Sequence, residues 1–157
     1  TRARYCAGDV DIGAWFEDCR RSILSAERDI QKVRAEISSM RDKLQAGHPN
    51  PTELFDLKYD SGGMVDIEFC VQALVLGYSN RHPELLDNKG NIALLERAGH
   101  ADLIDAALAK QCGDAYRHYR YLQHTMRMQN IAKPRVAPES IAQHVRAVNQ
   151  LRETVLL

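Results

Sequence analysis

The chain has 157 residues, 45% of them hydrophobic, and its 21 Lys and Arg are balanced by 21 Asp and Glu. That length suits one domain with a real core, and the neutral balance excludes bulk attraction to nucleic acid or to an acidic membrane surface. The four cysteines, Cys6, Cys19, Cys70 and Cys112, form no C-x-x-C pair, which predicts reduced, mostly buried thiols in a cytoplasmic protein. The most apolar run, around Leu74, is too short and too polar at its flanks to span a bilayer, so no membrane partner is expected. Thr1 in place of Met leads us to expect a piece of a longer polypeptide.

In chain order, Asp9 or Asp11 is placed to cap a first amphipathic helix whose apolar stripe is Ile12, Trp15, Phe16, Cys19 and Ile23. Asp9-Val10-Asp11 also reads as the D-x-D carboxylate pair of metal-dependent nucleotidyl transfer. Such a pair needs a rigid strand to point both carboxylates one way, and no strand-like alternation surrounds it, so capping is the better reading. From Glu27 to about Gln45, Ile30, Val33, Ile37, Met40 and Leu44 recur at alternating spacings of 3 and 4, the stripe of a helix packed lengthwise on a neighbour. Arg28, Lys32, Arg34, Arg41 and Lys43 are interleaved with Glu27, Asp29, Glu36 and Asp42, which predicts a solvated face. Gly47-His48-Pro49-Asn50-Pro51 breaks the helix.

The stretch from Phe55 to Tyr78 joins a polar, glycine-containing entry to the apolar run. Between Ile67 and Leu76 only Glu68 and Gln72 are polar, and they lie one turn apart on a single face, which predicts a buried central helix. Ser61 stands where it can cap that helix, and Gly62 and Gly63 allow backbone N–H groups to approach another backbone or an anion. A tight entry turn and nothing more is the bland alternative. Asp66 and Glu68 diverge by about 200° around the helix, so both cannot bind one ion.

Beyond it, Ser79 to Pro83 reads as a loop and Asp87-Asn88-Lys89-Gly90 as a turn before a short helix through Ile92, Leu95 and Ala98, ended by Gly99. From about Asp102 to Gln129 the longest helical pattern carries Ile104, Leu108, Cys112, Ala115, Tyr119, Leu122 and Met126. Its segment from Tyr116 to His124 mixes aromatic and basic groups, read as core tyrosines beside a solvated basic edge. His118 and His124 lie on different faces, and no His or Cys has zinc spacing, so no metal ligands are assigned. Pro138 opens a final helix with Ile141, Val145, Val148 and Leu151 or Arg152 on one side. Strand signals are nearly absent, and the expected architecture is a single all-α domain over 1–157, a bundle of five or six helices around a buried central one.

The central stretch also carries a resemblance. Lys58, Gly62, Gly63, Met64, Asp66, Ile67, Glu68, Phe69 and Gln72 reproduce K-x-x-x-G-G-[IM]-x-[DE]-I-E-F-x-x-Q. This resembles the signature that opens the central helix of the helical domain in the glutamine synthetase adenylyltransferase family. Glu36 to Lys43 is similar to that family's E-x-x-x-M-R-x-K helix, and Asn91 to Leu95 to its N-x-x-x-L helix, so most of the chain is covered.

The resemblance implies a bifunctional enzyme of nitrogen assimilation. One half removes AMP from glutamine synthetase and the other adds it from ATP with magnesium, under control of a PII signal protein and glutamine. Each helical domain follows a nucleotidyltransferase domain that carries the family's G-S and D-x-D elements. This chain has neither in a convincing context, so no catalytic residue is assigned to it and no ATP or magnesium is expected on it alone. The wording of the signature and the short tail to Leu157 look like the C-terminal, adenylylating half. Gly62, Gly63, Asp66 and Glu68 are then expected to form one wall of the cleft toward the upstream domain. The alternative from another class is a stand-alone helical interaction module whose glycine pair is only structural.

Overall fold

A computed structural model describes residues 1–87 and 89–157. Six α-helices run through the described residues: α1 (Val10–Leu24), α2 (Ile30–Ala46), α3 (Met64–Tyr78), α4 (Asn91–His100), α5 (Ala106–Met128) and α6 (Ala142–Leu156). The helical bundle expected from the apolar periodicities is therefore present, with α3 at its centre in contact with α2, α4, α5 and α6. Ten of the 15 residues of α3 are buried, because a helix apolar on nearly every side can only be satisfied by neighbours all round. Ile67, Cys70 and Leu74 meet Leu95 and Ala98 of α4, Cys112, Ala115 and Tyr119 of α5, and Val148 and Leu151 of α6 in one apolar core. The 23 residues of α5 give it a length of about 35 Å, and Asp105 caps it by accepting from Leu108 N–H.

One short ladder departs from an all-helical chain. Phe55–Asp56 (β1) pairs antiparallel with Arg135–Val136 (β2), and Leu57 N–H extends the pairing to Pro134 O at 3.0 Å. Two short 3-10 turns are also present: Pro83–Leu86, which buries Leu85 and Leu86 just after the expected Ser79 to Pro83 loop, and Pro138–Ile141, in which Pro138 opens the turn that leads into α6. The turn expected at Asp87 to Gly90 includes Asn88, which lies outside the described residues.

Several local readings need correction. Asp9 does cap α1, but the stripe assigned to the core does not reach it: Ile12, Trp15 and Ile23 are exposed, and Phe16 and Cys19 half-buried. Instead α1 is tied down by Leu24 and by Arg20, whose Nη2 donates to Leu86 O at 2.6 Å. On α2, Met40 is exposed and its neighbour Arg41 is buried, so the helix presents a guanidinium to the core where a methionine was expected. Gly99 does not end α4; it lies within the helix, where an added Cβ would come 3.1 Å from Ala109 Cβ, and it lets α4 and α5 cross closely. The chain turns instead at Asp102, in the left-handed region at φ 55°. Of the cysteines, Cys70 and Cys112 are buried, Cys19 is half-buried and Cys6 is exposed; all four are free thiols. No helix of the described residues is long and apolar enough to cross a membrane.

Candidate functional site

The start of α3 is built from the inside outward. Gly62 adopts φ +90°, a conformation that L side chains rarely take, and Gly63 is the N-cap residue without any side-chain cap. Ser61 does not cap: its hydroxyl donates to Asn149 Oδ1 of α6 at 3.1 Å and accepts from Arg152 Nη1 at 2.8 Å. Asp66 performs the capping from inside the first turn, accepting the Gly62 N–H on Oδ2 at 2.7 Å. The free N–H groups that a helix start leaves are consumed locally: Gly63 donates to Asp60 O, Met64 to Leu57 O and Val65 to Lys58 O. Both glycines are buried, and Tyr119 closes the turn from α5 by donating its hydroxyl to Gly62 O at 3.1 Å.

Asp66 is only 1% exposed, and a lone carboxylate at that depth is prohibitive without a partner. Arg41 supplies it in a two-point fork, Nε to Oδ1 at 2.6 Å and Nη2 to Oδ2 at 3.1 Å, while Arg152 Nη1 stands 3.9 Å from Oδ2. Burial acts to lower the pKa of Arg41, but the hydrogen bond and charge of Asp66 outweigh it and raise the guanidinium above its ordinary range. Gln45 Oε1 accepts from Arg41 Nη1 as well. Arg41 is the residue that reading the sequence missed; the available signal was its place as the R of the E-x-x-x-M-R-x-K pattern, since the apolar stripe itself runs unbroken through Met40.

Glu68 faces another way, as the angle around the helix requires. It is half-buried, accepts the Tyr116 hydroxyl on Oε1 at 2.9 Å, and lies 3.4 Å from Arg2 Nη1. Tyr116 has its pKa raised by burial first and by the Glu68 carboxylate second. One turn on, Gln72 lines a cavity of about 290 Å³ together with Arg2, Arg4, Arg20 and Asn91. Gly62, Gly63 and Asp66 thus share one sealed, internally bonded knot, whereas Glu68 and Gln72 form a polar edge with cationic neighbours. Among the described residues no three His, Cys, Asp or Glu side chains come together as metal ligands, and Asp66 is already matched by Arg41, so this arrangement does not fit a magnesium site.

Comparison with known sequences matches residues 30–151 to the family described as GlnD PII-uridylyltransferase. A bifunctional glutamine synthetase adenylyltransferase/adenylyl-removing enzyme of Bordetella bronchiseptica is 53% identical over 156 residues, 99% of this chain and 17% of its own length. Proteins of the same name from Burkholderia mallei and Ralstonia nicotianae are 52% and 50% identical over 96% and 99% of the chain. The chain spans about one sixth of the length of these curated relatives.

Proposed function

The chain belongs to the GlnD PII-uridylyltransferase family, and from that premise we propose that it is the helical accessory domain of an enzyme that adenylylates and deadenylylates glutamine synthetase. The observation that carries this reading is identity of 53% across 99% of the chain to a relative bearing that name. The family description names uridylyl transfer to PII, but half-identity relatives favour adenylyl transfer as the chemistry. On this reading residues 1–157 are one helical domain, a nucleotidyltransferase domain precedes it, and a PII protein regulates the whole. With Asp66 committed to Arg41, this reading assigns ATP and magnesium to the upstream domain and expects no AMP transfer by the chain alone.

Within that assembly Gly62, Gly63 and Asp66 form the rigid inner side of one wall of the active-site cleft. Glu68, with Tyr116 and Arg2 about it, is the part of the wall that faces outward. Fixing a helix start by a buried ion pair and three backbone bonds is a means of holding an adjoining edge within the small tolerance that positioning requires.

The test has two arms. The chain incubated with ATP, magnesium and glutamine synthetase should leave the synthetase unlabelled, and the longer polypeptide carrying the upstream domain should label it. Glu68→Gln in the longer polypeptide should lower adenylylation at least tenfold, about 1.4 kcal/mol in the barrier, with melting unchanged. Labelling by the chain alone, or an unaffected rate in Glu68→Gln, overturns the assignment.

A further inference from the structure

Where α2 ends, the chain enters a second concave surface on the outer side of the turn whose Leu57 and Lys58 carbonyls accept from the start of α3. A cavity of about 420 Å³ lies between Gly47–Pro49, the Asp56–Tyr59 turn, Gln123 and Arg127 of α5, and the 131–135 segment. Lys58, Arg127, Lys133 and Arg135 line it, against Asp56 as the one carboxylate among the lining residues. In a chain whose charges balance overall, this is a local cationic excess, and it is concentrated in a recess of the size that small ligands occupy.

The cavity is also built, not merely charged. The Asp56–Arg135 pairing of the two-residue ladder and the Leu57 to Pro134 hydrogen bond fix two of its sides. Asp56 Oδ1 holds the turn by accepting from Lys58 N–H at 3.0 Å and Tyr59 N–H at 3.1 Å. Tyr59 in turn stacks on His48, with ring centroids 3.9 Å apart and 12° between planes, and the Lys58 ammonium sits 4.7 Å from the Tyr59 centroid.

Arg135 gives the most specific sign. Its side chain is 13% exposed, and its Nε stands 3.5 Å from Asp56 Oδ2 without the geometry of a hydrogen bond. That Nε is buried and has no hydrogen-bond partner among the described residues, an unusual state for a guanidinium group. Asp56 Oδ2 forms an ion pair with Arg135 and balances one charge, which leaves Lys58, Arg127 and Lys133 with no carboxylate to match them among the lining residues.

We propose that this cavity binds a phosphate-bearing anion, held by Lys58 and Arg135 on its inner side, with Arg127 and Lys133 at the exposed mouth. A single carboxylate would balance only one of these cations. A phosphate group presents two charges and several acceptor oxygens, which suits an arginine fork beside a lysine ammonium. The phosphate has two sources, a free inorganic anion or a nucleotide, and the recess has room for more than the phosphate alone. The proposal does not rest on the adenylyltransferase reading, since it holds equally for a chain with any other activity.

Titration of the 157-residue chain with inorganic phosphate, pyrophosphate and AMP, each at matched ionic strength, followed by backbone amide shifts, tests it. Saturable shifts at Lys58, Tyr59 and Arg135 are expected below about 10 mM. Arg135→Gln and Lys58→Gln should each weaken binding at least tenfold, while Lys32→Gln, on an exposed part of α2, leaves it unchanged. Comparable binding of phosphate, pyrophosphate and AMP assigns the site to the free anion; tighter AMP assigns it to a nucleotide. Should Arg135→Gln fail to fold, Lys58→Gln and Lys133→Gln decide the matter. Absence of saturable shifts with all three probes, or equal weakening by Lys32→Gln, overturns the proposal.

Discussion

Arg41 Nε and Asp66 Oδ1 lie 2.6 Å apart, 25 residues distant in sequence, with both side chains almost wholly removed from water. Removing one partner leaves the other charged and buried, which costs about 3–5 kcal/mol. Arg41→Met and Asp66→Asn should each lower the free energy of unfolding by that order in urea titrations. The double variant Arg41→Met/Asp66→Leu should lose much less than the sum, because no buried charge is then stranded. Single variants that lose under about 1 kcal/mol would show that the pair is solvated in solution.

The two glycines of the signature resist substitution for different reasons. At Gly62 an added Cβ meets Val145 Cγ1 at 2.8 Å and Val145 O at 3.0 Å, and φ is +90°. At Gly63 φ is ordinary, but a Cβ would press on the carbonyl oxygens of Asp60, Leu57 and Lys58 at 2.9, 3.0 and 3.1 Å. Both Gly62→Ala and Gly63→Ala should lose about 1–3 kcal/mol in thermal melts. Adding Val145→Ala should relieve part of the first loss and none of the second, since only the first has a side chain to trim.

On α1, burial and hydrophobicity part company. Trp15→Ser, Ile12→Ser and Ile23→Ser should each change stability by less than about 0.5 kcal/mol, because those side chains are already exposed. Leu24→Ala should cost about 2–5 kcal/mol, as Leu24 is the α1 residue buried in the core. Calorimetry on the four variants separates the two faces; a large loss at Trp15 would place α1 differently.

Alkaline pH should destabilise the fold. Burial raises the pKa of Cys70, pushes that of Cys112 up to about 12, and raises Tyr119 and Tyr116. A group whose folded pKa lies above its unfolded value contributes stability that is complete below the unfolded pKa and is lost as pH rises toward the folded one. The window opens near pH 9 for the thiols and pH 10 for the tyrosines, at about 1.4 kcal/mol per pH unit for each fully shifted group. Unfolding free energies measured from pH 8 to 11 should fall, and Cys112→Ala should flatten the early part of the decline.

How far the sequence could be read depended on whether the signal was local. The position of α3 was plain, since an apolar run broken only by Glu68 and Gln72 has one way to be satisfied, and the opposed directions of Asp66 and Glu68 followed from helix geometry. Arg41 was hidden because its charge looked like one more in an alternating series; only the three-dimensional approach of Asp66 makes it an interior group. The α1 stripe was real as a pattern, but periodicity states that a face is apolar and not what lies against it. Gly99 was misread because a glycine late in a helix is as good a sign of a stop as of a close crossing. The Asp56–Arg135 pairing joins segments too short to show strand alternation. Its partners are 79 residues apart, so the cavity beside it had no local trace.

The Gly62 amide proton is donated to a carboxylate clamped by α2, in a turn whose carbonyl is capped by α5 and whose serine is tethered to α6. Fraying of any single helix end leaves that proton covered, and releasing it to solvent requires several elements to part at once. Its exchange with deuterium should therefore proceed only through the opening of the entire bundle, at the full unfolding free energy. One slow proton then serves as a gauge of cooperativity: early exchange in a variant reports that α2, α5 and α6 have parted from the start of α3 while their helices persist.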